Sequence, residues 1–170
     1  HDIAGMFQNA GVCCKVTDNL ERAHWEKLVW NIPFNGLGVA GAAGYDALVN
    51  PTKTLNIQHS TSNIEPSRSS SVLATDKLLG DVRWETLVRE LMLEVIAIAG
   101  ALGHKIPTSY AENHIERTST MGAYKASTLI DFERGQTLEL EGLFLSPLRQ
   151  ARKAGVPAPR LSALCDVLER

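Results

Sequence analysis

A lysine and two asparagines recur at four-residue spacing between Trp25 and Asn35, at Lys27, Asn31 and Asn35. Residues spaced this way stack on one face of a helix. By helical phase Leu20, Ala23 and Phe34 flank the row, so its three polar groups are expected to point inward. An ammonium on such a face can stabilise a developing oxyanion and then give up its proton. Two carboxamides beside it can donate to, or accept from, the oxygens of a small polar ligand. The plainer alternative is a surface lysine on an amphipathic helix, because lysines are usually exposed.

A second stretch carries chemistry near the carboxy terminus. Ser127 and Asp131 are followed by Gly135, Thr137, Glu139 and Glu141. If Thr137 caps a helix, Glu139 falls in its first turn, where free N–H groups favour a carboxylate. Glu141 could serve that helix end equally well. Ser127 could bind a ligand or cap a short helix, and Asn35 could cap a turn after Pro33.

Other motifs are weaker. Gly36-Leu37-Gly38-Val39-Ala40-Gly41 matches the glycine pattern of dinucleotide-binding loops, but no continuous apolar strand precedes it. No acidic residue stands about 20 positions on, where Thr54 to Ser60 are all uncharged. The small residues from Gly36 to Gly44 more simply permit close helix packing. His24, His59, His104 and His114 show no metal-binding spacing, so no metal is expected. Ser69 to Ser71 lie in a polar run without the context of a nucleophile.

The elements that must hold these residues are read as all-α. An opening segment from Ile3 to about Ala10 is broken by Gly11, and Val12 to Val16 is a candidate for extended chain. Asp18 or Asn19 caps the helix bearing Lys27, which Pro33 is expected to kink or end. The Ser-, Thr- and Asn-rich run from Pro51 to about Ser71 reads as a surface loop. Leu87 to Leu102 reads as a buried helix capped by Asp81 and stopped by Gly103 and Pro107. A short helix is expected at Ser109 to Arg117, and a partly helical segment at Met121 to Asp131. A further helix carries Leu140, Phe144, Leu148 and Ala151 on one face. It should bend at Pro147 and stop at Gly155. The last helix runs from about Arg160 to the end.

Composition bounds the function classes. The chain has 170 residues, 44% hydrophobic and 21% charged, with a net charge of -2. This suits one globular domain and gives no electrostatic footprint for nucleic acid. The apolar run at Leu87 to Leu102 is broken by Arg89, Glu90 and Glu94, so no membrane span is expected. Cys13, Cys14 and Cys165 read as free thiols of a reducing compartment, consistent with a cytoplasmic protein. No secretory signal is visible, and the missing initial methionine suggests a chain cut from something longer.

Taken together, the ordered motifs are specific. Lys27, Asn31 and Asn35, then Ser127 and Asp131, then Gly135 and Glu139, then Gly155-Val156-Pro157-Ala158-Pro159, occur in one order along the chain. This pattern resembles the carboxy-terminal helical domain of the ketopantoate reductases (2-dehydropantoate 2-reductases), from about Gly11 to the end. The one large departure is the stretch from about Pro51 to Gly80, which reads as an inserted polar loop, either solvated or covering the active site.

The resemblance implies an all-α domain of the 6-phosphogluconate dehydrogenase C-terminal-like type, spanning residues 1–170, with no Rossmann domain in this chain. It implies NADPH-dependent reduction of ketopantoate to pantoate in a cleft between two domains, with the cofactor bound mainly by the absent amino-terminal one. Residues for cofactor binding in this chain are left unassigned. By the same resemblance Lys27 is the general acid and Glu139 its acidic partner near the reacting oxygen. Asn31 and Asn35 bind substrate hydroxyl and carbonyl oxygens, and Ser127 contacts the substrate carboxylate. Asp131 matches as well but serves equally as a structural cap. The isolated chain is expected to be inactive, and a homodimer through its helical faces is a further expectation. Two other readings stay open: a reductase domain for another 2-oxo acid, and a non-catalytic helical oligomerisation module.

Overall fold

The computed structural model describes residues 2–14, 16–49 and 72–170, and these are helical with no strand among them. Helix α1 spans Ile3–Asn9, and the Asp2 carboxylate accepts the Gly5 N–H at 3.1 Å to cap it. No residue of α1 is buried. The extended candidate at Val12 to Val16 forms no strand over its described residues.

Helix α2, Leu20–Ala40, is the spine of the fold. Asn19 rather than Asp18 is the cap, its Oδ1 accepting from Arg22 N at 2.8 Å. Pro33 does not end the helix, contrary to one of the expected outcomes. An interior proline costs about 3 kcal/mol through its missing N–H and ring clash. Every residue from Ile32 to Ala40 is buried, and burying a side chain such as Phe34 or Leu37 contributes about 1.5–3 kcal/mol each. Tertiary burial therefore outweighs the local penalty. After a 3₁₀ turn at Gly41–Ala43, helix α3 covers Tyr45–Val49.

The region from Pro51 to Gly80 is not one loop. Its last part, Thr75–Gly80, is helix α4. Residues 51–71, including the proposed cover over a site, lie outside the described residues.

Helix α5, Val82–Ala101, starts earlier than the apolar run alone suggests. Asp81 caps it as expected, through Oδ1 and Arg83 N at 2.9 Å. It packs along α2, and Leu28, Val29, Ile32, Leu91, Met92, Val95 and Ile98 form the centre of the core. Gly103, at φ 91°, turns the chain out of it. Helix α6 spans Ser109–Ser119 and helix α7 spans Ser127–Glu133, so the segment after Met121 is partly helical as expected.

Thr137 does not cap the next helix. The chain at 136–139 is irregular, and a turn of π-helix over Glu141–Leu145 leads into α8, Ser146–Ala154. Pro147 sits in the first turn of α8. A regular helix would need its N–H to reach one turn back, and proline has none to give. Gly155, at φ 66°, closes α8, and α9 spans Pro159–Leu168.

Glycine at position 36 is what lets α9 and the π turn approach α2. A Cβ there would lie 2.5 Å from Leu164 Cδ2 and 2.9 Å from Phe144 Cε1, and both of these side chains are fully buried.

Candidate active site

The row on α2 does not point uniformly inward. Lys27 is exposed, Asn31 is half-buried and Asn35 is 2% exposed. The row runs along the helix from solvent into the core, because the amino-terminal turns of α2 lie at the surface: Leu20, expected to flank the row in the interior, is 76% exposed.

At the buried end the row meets α7. Asn35 Oδ1 accepts from Thr128 N at 3.0 Å and from Ser127 Oγ at 3.3 Å, while Asn35 Nδ2 donates to Asn31 Oδ1 at 3.5 Å. Helix α7 has Ala126 at its cap position and no side-chain cap of its own. Asn35 supplies one from another helix, satisfying an N–H that would otherwise be an unpaired donor at the helix end. The structure thus joins three of the sequence-selected residues, Asn31, Asn35 and Ser127, in one hydrogen-bonded chain.

The loop that delivers Ser127 is pinned from α4. Thr75 is 2% exposed; its hydroxyl donates to Gly122 O at 2.7 Å and accepts from Tyr124 N at 3.0 Å, and its own N–H donates to Tyr124 O at 3.0 Å. Trp30 fills the space behind, stacked on Phe34 with centroids 5.0 Å apart and donating Nε1–H to Thr118 Oγ1 at 2.9 Å. Neither Thr75 nor Trp30 stood out in the sequence. An isolated threonine after a polar run and a tryptophan on an apolar helix carry no periodic signal.

Lys27 and Glu139 stand apart from this network. Lys27 forms no ion pair among the described residues, and Glu139 is exposed with no hydrogen bond among them. The expected pairing of Glu139 with the lysine region is absent from this arrangement. Glu139 precedes its helix instead of lying in the first turn, and its carboxylate lies over Gly142, where a Cβ would come within 2.9 Å of Oε1. The π turn that begins at Glu141, two residues after Glu139, packs against α2.

Beside Lys27 opens a recess of about 760 Å³. Leu20, Ala23, His24 and Trp25 of α2 line it, with Leu102 and His104 from the turn after α5 and Gln150 from α8. His104 Nε2 lies 3.5 Å from the Glu21 carboxylate. Asn31, Asn35, Ser127 and Glu139 do not line this recess, so Lys27 is the only sequence-selected residue on its wall.

No dinucleotide cradle or metal centre forms among the described residues. Gly36 and Gly38 lie inside α2 and Gly41 begins the turn after it, with no strand before them. The space a pyrophosphate would need beside Gly36 is filled by Leu164 and Phe144. No group of three or more His, Cys, Asp or Glu side chains is gathered to hold a metal among these residues. No helix described is long and apolar enough to cross a membrane.

A sequence profile described as "Ketopantoate reductase PanE/ApbA C terminal" matches residues 69–170. A protein of Nostoc sp. named 2-dehydropantoate 2-reductase is 33% identical over 98% of this chain and 43% of its own length. The crystal structure of 2-dehydropantoate 2-reductase from Geobacter metallireducens superposes with a TM-score of 0.76 at 38% identity, over 99% of this chain and 46% of that one. The corresponding structure from Methylococcus capsulatus gives a TM-score of 0.74 at 30% identity, over 98% of this chain and 44% of that one. The chain therefore spans less than half the length of these relatives. With the profile covering residues 69–170 of a chain whose described residues are helical and whose fold these reductases share, the chain belongs to the ketopantoate reductase family, as its C-terminal helical domain.

Proposed function

We propose that this domain forms the substrate side of an NADPH-dependent 2-dehydropantoate 2-reductase, which reduces ketopantoate to pantoate on the route to pantothenate and coenzyme A. The observation that carries this reading is the polar row of α2, where an exposed lysine precedes a hydrogen-bonded chain of Asn31, Asn35 and Ser127. NADPH supplies the hydride that reduces the ketone carbon, and its binding site belongs mainly to the portion of the relatives that this chain does not cover. The packed glycines of α2, which leave no room for a pyrophosphate, support that division of labour.

In this reading Lys27 Nζ faces the ketone oxygen. Its charge stabilises the alkoxide as it forms, and its proton completes the alcohol. An exposed ammonium suits this role only if a second domain closes over it and excludes water, which would strengthen the charge–charge interaction. Asn31 and Ser127 then hydrogen-bond the substrate oxygens, Ser127 toward the carboxylate, whereas Asn35, to which the resemblance gives the same role, is 2% exposed with its Oδ1 bonded to Thr128 N and stands behind them. Glu139, free of protein partners among the described residues, reaches the substrate oxygen and the lysine region on the same closure. A cytoplasmic enzyme acting on a small-molecule 2-oxo acid, with a homodimer formed through the helical faces, completes the proposal.

The recess beside Lys27 favours one second reading, a reductase for another 2-oxo acid. Its apolar walls at Leu20, Trp25 and Leu102 would take a substituent bulkier than that of ketopantoate. The test joins this domain to the nucleotide-binding half and follows NADPH absorbance. Ketopantoate-dependent oxidation by the joined protein, and none by the domain alone, is expected. Turnover by the domain alone would contradict the placing of the cofactor. Turnover only of a bulkier 2-oxo acid would transfer the assignment to the second reading.

A further inference from the structure

We infer that Asn35 is a positioning residue that fixes which end of the Asn31 carboxamide faces the substrate. The inference rests on the proposed substrate role of Asn31. It begins at a group whose identity is not open to choice: a backbone N–H can only donate, so the Asn35 atom that receives Thr128 N at 3.0 Å must be the carbonyl oxygen. The amide nitrogen of Asn35 is then the atom turned along the helix. It can only donate, so the Asn31 atom it meets at 3.5 Å must be Oδ1. The Asn31 nitrogen, with its two hydrogens, is thereby left facing away from Asn35 on the half-buried face of α2.

The direction of this chain has a chemical consequence. Asn31 offers hydrogens, so it recognises an acceptor: a ketone, carboxylate or hydroxyl oxygen lone pair of a 2-oxo acid. Ser127 also bonds Asn35 Oδ1, at 3.3 Å, but its hydroxyl can rotate. It can turn to a substrate carboxylate because Thr128 N–H, which cannot rotate, keeps Asn35 Oδ1 engaged. The orientation signal therefore originates in the backbone of α7 and reaches the substrate through two side chains. Asn35 itself, 2% exposed with its carbonyl oxygen committed, acts from behind.

Asn35→Asp tests this in the complete reductase. At a pH that keeps it ionised, the new carboxylate still accepts from Thr128 and Ser127 but has no hydrogen to donate, so Asn31 must turn its nitrogen inward and present its oxygen to substrate. The expected result is a KM for the 2-oxo acid raised about tenfold, the scale of one misplaced hydrogen bond, with kcat within about threefold. In an Asn31→Ala background the same Asn35→Asp change should leave KM unaltered. An equal rise in both backgrounds would mean simple charge repulsion and overturn the inference, as would no rise in either. Amide exchange supplies a readout independent of turnover and of how well the variant folds. In the unmodified protein the Asn35 side-chain amide hydrogens should exchange slowly and those of Asn31 fast. The reverse order overturns the inference, whereas a protein inactive on every 2-oxo acid but showing the expected order loses only the functional reading.

Discussion

Glu94 illustrates how a single residue can look like an interruption in the sequence and act as a fastening in the fold. It breaks the most apolar run of the chain, yet its two carboxylate oxygens accept Arg160 N and Leu161 N, each at 2.9 Å, while Arg160 Nε binds Glu90 at 2.7 Å. Helix α9 has Ala158 at its cap position with no side-chain bond, so Glu94 caps it from α5. Glu94→Ala should cost about 1–3 kcal/mol in urea unfolding, since it strands two helix-end donors. Burial pushes the Glu94 carboxyl above its ordinary value, against the pull of those two N–H groups and of Arg160. A raised folded value means that the stability contributed by this group is full below the unfolded value and is lost as pH rises through the folded one. Glu94→Gln, which cannot ionise, should therefore gain on the parent as pH rises above the unfolded carboxyl value of about 4.3 and through the raised folded one. A parent that gains on the variant over that range would contradict the sign. Cys165 is held by burial with its thiol pushed up to about 12 and is 1% exposed, whereas Cys13 is exposed. A thiol reagent should modify Cys13 in the native protein and Cys165 only after denaturant is added; labelling of Cys165 under native conditions would show that the α9 packing opens.

At the scale of elements, helices with strong punctuation were legible. Asp81 and Gly103 bound α5, and Gly155 closes α8, because capping is a local interaction that leaves its mark within a few residues. What escaped was set by distant contacts. Pro33 argues locally for a break, but α2 continues through it since nine consecutive residues are enclosed by other helices. The irregular chain before the π turn, in place of a helix capped by Thr137, also has no local signature. Thr75–Gly80 was lost in a polar stretch, although Thr75 pins the loop that presents Ser127. The glycines of α2 give the sharpest element-level prediction. Gly36→Ala should destabilise by about 1–3 kcal/mol, as the new methyl meets two fully buried side chains. Gly100→Ala, with open space around it in α5, should stabilise by about 0.5–1 kcal/mol. Thermal unfolding of the two variants decides the matter, and similar shifts would refute the packing role given to Gly36.

For the molecule as a whole, the family was readable because its motifs are spaced across the chain in a fixed order, and the profile match with the shared fold agrees with that reading. The geometry of the candidate site was only partly readable. Helical spacing put Lys27, Asn31 and Asn35 on one face, but spacing carries no information about depth, and the row passes from an exposed lysine to an asparagine 2% exposed. Nor could it foresee that Asn35 would meet Ser127 and the backbone of Thr128 across 92 and 93 residues of sequence. Lys27 and Glu139 form no ion pair among the described residues, so the proposed chemistry rests on each reaching the substrate rather than on a contact between them. The most direct measurement is the steady-state rate of the complete reductase with Lys27→Ala beside Glu26→Ala, its neighbour on α2. Loss of a general acid is worth about 10²- to 10⁴-fold, so kcat should fall by that order for Lys27→Ala and by less than about threefold for Glu26→Ala. Equal, small effects from the two substitutions would contradict the assignment of Lys27 as the proton donor.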